Sequence, residues 1–171
     1  MAQESAQKRP NFLIIITDQH RGDGLGCAWP SWREGENVLQ TPHLDQLAAG
    51  GLRCSRAYVN NPLCMPSRST LLTGLTPRGH GVRTNGIPLS RDLPTMTGAL
   101  TQSGYRTHSV GKIHTRSFGL PNGADPETVD PFDYPEAKWM WDHGKVTHLP
   151  EPYYGFQTTE STGGHGSGVH G

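Results

Sequence analysis

Cysteine is scarce and unpatterned in this chain. Cys27, Cys54 and Cys64 are odd in number and form no Cys-x-x-Cys pair, which excludes a disulfide framework and a thiolate zinc site. Net charge is absent too: 15 Lys and Arg balance 15 Asp and Glu among 171 residues. No overall field therefore draws the chain to nucleic acid or to an anionic membrane, although a local anion site is compatible with that balance. Long apolar runs are missing as well. The longest, Phe12 to Ile16, falls far short of the roughly 20 residues that a membrane span needs. Residues 1–9 form a polar tail with Gln3, Glu4, Gln7, Lys8 and Arg9, without the apolar stretch of a secretory signal, so the expected location is the cytoplasm. Glycine and proline are plentiful, at 22 and 14 residues, and imply many or long connections. Length and an apolar content of 33% suit one domain with a real core.

The β-branched run Ile14-Ile15-Ile16, led in by Phe12 and Leu13, predicts a strand buried on both faces, as in a parallel sheet. It ends at Thr17-Asp18, which puts a carboxylate at the carboxyl end of a core strand, where open α/β sheets bind ligands. From Thr41 to Gly51 the pattern predicts a helix: Thr41 as cap, Pro42 at the first position, Asp45 in the first turn, and glycines to stop it. A second strand is expected over 52–59 and a helix over 67–73. A further helix is expected over 93–103, then a strand over 105–110 that ends in Gly111-Lys112-Ile113-His114. Alternation of this kind predicts an α/β fold, with a largely parallel sheet sandwiched by helices. Over 117–153 prolines break the periodicity, and Trp139-Met140-Trp141 forms an isolated apolar knot, so a long loop or insertion is expected. A short strand over 154–159 and a glycine-rich tail follow. Nothing at that end closes a domain, and the fold is expected to be incomplete at the C-terminus.

Three chemically distinctive segments fall beside the ends of these elements: Asp18, Cys64 to Arg68, and Lys112 to His114. A lone Cys64 at the mouth of a helix reads either as a small buried hydrophobe or as a low-pKa thiolate. Its surroundings point elsewhere. Cys64-Met65-Pro66-Ser67-Arg68 resembles the signature of the sulfatase family. So do Pro10-Asn11 with the apolar run and Asp18, Thr41 to Ala48, Leu72-Thr73-Gly74, and Gly111-Lys112-Ile113-His114, all in the family's order. The resemblance runs from Pro10 to the end of the chain.

It implies an alkaline-phosphatase-like catalytic domain over 10–171, present as its N-terminal portion, that hydrolyses a small-molecule sulfate monoester. Cys64 would be oxidised to formylglycine by a generating enzyme that reads Pro66 and Arg68, and the aldehyde hydrate would be the nucleophile. Asp18 and the modified Cys64 would ligate a divalent cation, Ca²⁺ first, with Mg²⁺ or Mn²⁺ as alternatives; a hard carboxylate without a Cys/His cluster fits those ions. Arg68 would stabilise the ionised hydrate, while Lys112 and His114 would grip the sulfate. If Lys112 and His114 alternate on a strand, they share one face. Asn85 resembles a pocket asparagine of the family, or equally serves a turn at Gly86.

Two departures stand out. Gln19 occupies a position where many members carry a second aspartate, which leaves its contact with the cation open. Asp142-His143-Gly144 mimics the family's second ligand pair but lacks the buried strand that should precede it, and reads as a decoy. The alternatives are a phosphonate or phosphate monoester hydrolase on the same scaffold, and a catalytically inactive fragment.

Overall fold

The computed structural model describes residues 9–30, 35 and 39–162. The polar tail up to residue 8 and the glycine-rich end from residue 163, with His165 and His170, lie outside the described residues. The chain divides into two compact units, Met1–Ala57 and Tyr58–Gly171. No described helix is long and apolar enough to cross a membrane.

In the first unit a 3₁₀ turn at Gly26–Ala28 is tied to the helix α1, Pro42–Gly50. Thr41 precedes this helix and Pro42 opens it, as its sequence predicts, but the Thr41 hydroxyl does not cap the helix. It accepts from the Gly26 N–H at 2.8 Å and donates to Asp45 Oδ1 at 3.1 Å, while Asp45 Oδ1 accepts from the Cys27 N–H at 2.7 Å. The amide of Cys27 is the main reason that the Asp45 carboxyl lies below the ordinary carboxylate range. Asp45 thus serves a tertiary contact as well as the helix dipole.

Two expected strands do not form. Side chains 12–16 are between 49% and 85% exposed, and this run has no strand partner among the described residues. Residues 52–59 are irregular, with a turn at 55–56, and Leu52, Tyr58 and Val59 are exposed. A strand is completed by neighbours that take its N–H and C=O groups, and β propensity alone does not supply them.

The second unit holds α2 (Cys64–Thr73), α3 (Pro77–His80), α4 (Met96–Gln102), β1 (His108–Gly111), α5 (Lys138–Asp142) and β2 (Thr158–Ser161). α2 starts three residues earlier than its apolar pattern suggests, so Cys64 is its first residue. Pro66 is tolerated in that first turn because the N–H it lacks would have no intrahelical acceptor. Gly74, in a left-handed conformation at φ 70°, closes α2 by donating to the Thr70 carbonyl. The expected helix over 93–103 shortens to α4 because Pro94 and Thr95 precede its first turn, where Thr95 Oγ1 accepts from the Gly98 N–H at 3.0 Å.

β1 and β2 pair in parallel, with His108 opposite Thr158 and Gly111 opposite Ser161. The parallel pairing of the α/β class is therefore present. The strands sit a few residues later than expected, since Thr107 and Gln157 exchange long-range hydrogen bonds, two of them through side chains, before the ladder begins.

The segment 117–153 is mostly irregular but tightly packed. Ala137, Met140, Trp141, Val146, Leu149 and Tyr153 join Met65 and Leu72 of α2, Val82, Leu89 and Ile113 in one buried cluster. Burying a Met, Leu or Val contributes about 1.5–3 kcal/mol each, so this segment supplies core rather than decorating it.

The tail of that segment meets α4 through Tyr154, whose carbonyl accepts from Thr95 Oγ1 and Thr97 Oγ1. Next to it, Gly155 lies against the α4 backbone at φ 86°; a Cβ there would stand 2.7 Å from Gly98 Cα and 2.8 Å from the Thr97 carbonyl carbon. Gly155→Ala should therefore cost about 3 kcal/mol or more in chemical denaturation. Gly144→Ala, at φ 66° with open space around it, should cost only about 1 kcal/mol. Equal losses would show that backbone conformation, and not the close approach, decides the effect.

Candidate active site

Cys64 opens α2, half-buried, where the unsatisfied N–H groups give a helix its partial positive charge. The chain enters this helix along Asn61, whose side chain accepts from the Leu63 N–H at 2.9 Å and donates to the Arg83 carbonyl at 3.4 Å. Asn85 Oδ1 accepts from the Met65 N–H at 3.0 Å. An asparagine twenty residues downstream thus caps the first turn that carries Cys64. Gly86 beside it has φ 93° and donates its N–H to Met65 Sδ at 3.1 Å. Both readings of Asn85 left open by sequence are compatible with this geometry, since a turn at Gly86 delivers the amide to the helix end.

Arg68 lies one turn along α2 from Cys64, as expected. Its Nη1 donates to the Lys112 carbonyl at 2.6 Å. This bond joins the cysteine helix to the segment that follows β1. Lys112 and His114 do not alternate on a strand: β1 ends at Gly111, whose φ is 88°, and His114 is itself left-handed at φ 56°. They are gathered by a ring that sequence reasoning missed. The imidazole of His114 stacks on Phe118 at 3.7 Å between centroids and 2° between planes, and Lys112 Nζ stands 5.5 Å from the same ring. His114 is buried and Lys112 half-buried.

Glu136 was also missed. It is 2% exposed, and its carboxylate accepts from the N–H groups of His114, Thr115 and Arg116 and from the hydroxyls of Thr115 and Tyr153. Burial raises its pKa and these donors oppose the rise. The signal in the sequence was a lone acidic residue before an apolar knot, which says nothing about donors twenty positions upstream.

His80 fastens α2 to α3. Its Nδ1 accepts from the Val82 N–H at 3.1 Å, so Nε2 carries the proton towards Thr70 Oγ1 at 3.0 Å. Burial lowers its pKa, which keeps it neutral in this role.

Asp18 belongs to the first unit, at an exposed bend after residues 12–16. Gln19 beside it is left-handed at φ 47°. Asp142 and His143 serve their own helix: Asp142 Oδ2 pairs with Lys138 Nζ at 2.5 Å, and His143 stacks on Trp139 and approaches its carbonyl. Among the described residues no three His, Cys, Asp or Glu side chains gather as a cation site. A cavity of about 570 Å³ opens elsewhere, between Arg91, Gln102, Phe132 and Tyr153, and none of Cys64, Arg68, Lys112 and His114 lines it.

A parallel β pair with helices, and a cysteine-headed helix tied to the Lys112–His114 segment, place the second unit in the α/β class. The chain belongs to the sulfatase family, whose model matches residues 10–161. It is 32% identical over 156 residues to an N-acetylglucosamine-6-O-sulfatase of Bacteroides thetaiotaomicron, covering 89% of this chain and 26% of that protein. It is 33% identical to an ulvan-active sulfatase of Formosa agariphila, covering 89% and 28%. Among solved structures, a 2-O GAG sulfatase superposes with a TM-score of 0.56 at 26% identity over 92% of this chain and 35% of that one. A phosphonate monoester hydrolase of Agrobacterium radiobacter superposes with a TM-score of 0.55 at 32% identity over 70% and 22%. The chain thus spans about a quarter of the length of the curated relatives it matches.

The capping of α2 yields a direct test. Asn85→Ala removes the acceptor for the Met65 N–H and should lower stability by about 1 kcal/mol in thermal denaturation. Asn85→Asp, which keeps an acceptor there and adds charge favourable to a helix N-terminus, should retain wild-type stability. A loss for Asp equal to that for Ala would refute the capping role.

Proposed function

We propose that the protein from which this chain comes is a sulfuric ester hydrolase that uses formylglycine made from Cys64. The observation that carries this reading is the bond from Arg68 to the Lys112 carbonyl. It binds the helix headed by the nucleophile position to the cationic segment of Lys112 and His114. The family match and the relatives named as sulfatases support it.

The chemistry follows from those residues. One hydroxyl of the aldehyde hydrate attacks sulfur and loses its proton as the S–O bond forms. The ester S–O bond breaks, and the leaving oxygen takes a proton, which His114 is suited to supply. The second hydroxyl then gives up its proton, the C=O bond re-forms and sulfate leaves; water restores the hydrate. Charge builds on the sulfate oxygens and the leaving oxygen, and Arg68, Lys112 and the N-terminus of α2 offer positive charge for it. Asn85 adds a polar contact beside the first turn.

A divalent cation, with Ca²⁺ as the first candidate, belongs to this reading, and Asp18 is its hard oxygen donor. The described residues do not complete such a site, and Ca²⁺ takes about six to eight oxygens. The proposed partners are a small sulfate monoester and the generating enzyme that oxidises Cys64.

A second reading, phosphonate or phosphate ester hydrolysis, has the Agrobacterium hydrolase as its support. The Lys112-x-His114 pair and the sulfatase relatives favour sulfate.

Three outcomes are expected. On coexpression with a generating enzyme, the tryptic peptide bearing Cys64 should lose about 18 Da and react with hydrazides; an unmodified Cys64 beside intact Pro66 and Arg68 would sink the maturation step. In a version of the protein that spans the relatives' length, Lys112→Ala and His114→Ala should each lower kcat for an aryl sulfate about 10²-fold. Full rescue of Lys112→Ala by excess Ca²⁺ or Mn²⁺ would instead assign that lysine to metal occupancy. The 171 residues alone should turn over no aryl sulfate, because the oxygen ligands they offer are too few to activate the hydrate. Clear turnover by the purified, formylglycine-containing chain would overturn that expectation and move Asp142 and His143 from decoy to ligand.

A further inference from the structure

His114 is a non-glycine residue held at φ 56°, buried, between a chain reversal at Gly111 and a carboxylate. A left-handed conformation of this kind costs on the order of 1–3 kcal/mol and persists only where the surroundings over-determine it. Among those surroundings, one side chain takes the His114 N–H. The two oxygens of Glu136 divide their work. Oε1 accepts from the Thr115 N–H at 3.0 Å, the Thr115 hydroxyl at 2.9 Å, the Arg116 N–H at 2.9 Å and the Tyr153 hydroxyl at 2.7 Å. Oε2 accepts from the His114 N–H at 2.6 Å. Three consecutive backbone donors converge on one carboxylate, and this convergence requires the curl in the chain that turns His114 left-handed.

The segment carrying Glu136 is itself fixed. The Pro135 carbonyl accepts from Trp141 Nε1 at 2.7 Å, and the Lys138 N–H donates to the Phe118 carbonyl at 3.0 Å. Phe118 is the ring on which the His114 imidazole stacks. One short stretch, 135–138, therefore holds the backbone of the histidine and the backbone of its stacking partner together. All five partners of Glu136 are donors, so the carboxylate acts as an acceptor only.

We propose that Glu136 is a positioning residue for the sulfate-binding segment, setting the orientation of His114 through the bond to its N–H. The inference rests on the sulfatase reading for its catalytic consequence, but not for the structural link itself.

The test uses a version of the protein that spans the relatives' length. In Glu136→Gln the remaining oxygen can still serve Thr115, Arg116 and Tyr153, while the new NH₂ faces the His114 N–H, donor against donor. Hydrogen exchange across 112–116 should then accelerate about tenfold relative to global unfolding. Turnover of an aryl sulfate should fall about tenfold in kcat with a smaller change in KM, because the displaced group acts on the transition state. In a His114→Ala background, Glu136→Gln should cause no further loss of kcat. Tyr153→Phe removes a donor from Oε1 alone; it should lower stability yet leave kcat and the exchange of 112–116 unchanged. Glu136→Asp keeps the charge but draws both oxygens back, and provides the same readouts should the Gln variant not fold.

Unchanged exchange at 112–116, or a further tenfold loss of kcat when Glu136→Gln is added to His114→Ala, would overturn the proposal. If the wild-type protein hydrolyses no sulfate ester, the functional reading fails, and the exchange pattern still decides whether Glu136 holds His114.

Discussion

A carboxylate removed from water must be supplied with hydrogen-bond donors, or its burial costs several kcal/mol. Glu136 is such a group, and the second unit is organised around satisfying it. The loop after β1 curls so that successive N–H groups of His114, Thr115 and Arg116 reach it, and Tyr153 turns its hydroxyl inward to do the same. Burial, and after it the neighbouring Glu136 charge, push the Tyr153 pKa well above its ordinary value, so this hydroxyl stays protonated as a donor. Leu89 donates to the Thr115 carbonyl, and Tyr154 closes the same corner through its hydroxyl on the Leu89 carbonyl. Removing the carboxylate would strand donors from two parts of the chain at once.

Around that centre the candidate site is built from two pieces that are individually simple. One is a helix of ten residues whose first residue is Cys64 and whose first turn is capped from outside by Asn85. The other is a short segment with two backbone reversals, at Gly111 and His114, that presents Lys112 and His114 to the Phe118 ring. Arg68 joins them by a charge-assisted bond to a carbonyl, stronger than a neutral one. A helix N-terminus with Arg68 one turn along it, bonded to the segment that carries Lys112, offers charge that suits a tetrahedral anion. Sulfate and phosphonate esters share that shape, which is why relatives of both chemistries share the fold.

Part of the candidate site's geometry was legible because its elements are local. Cys64 to Arg68 spans one helical turn, so their neighbourhood followed from spacing alone. The start of α1 at Pro42 and the stop at Gly74 followed from local backbone preference in the same way. The strands expected over 12–16 and 52–59 rest on β-branched and apolar content, which measures suitability for a sheet and not the presence of a partner. The prolines of segment 117–153 break periodicity and so predict a long loop. Periodicity reports regular structure, however, and Met140, Trp141 and Leu149 are buried by irregular backbone that packs just as densely.

The order and chemistry of the motif residues, and the identity of the helix that carries Cys64, were thus determined by the sequence itself, through short-range sterics and hydrogen bonding. The tertiary structure alone decided that Asn85 would cap that helix, that Phe118 would gather Lys112 and His114, and that Glu136 would hold His114 in a strained conformation. Each of these depends on residues about twenty positions apart or on a ring brought back by a turn, and the free energy that selects them comes from excluding water around the whole group. No single residue's preference encodes it.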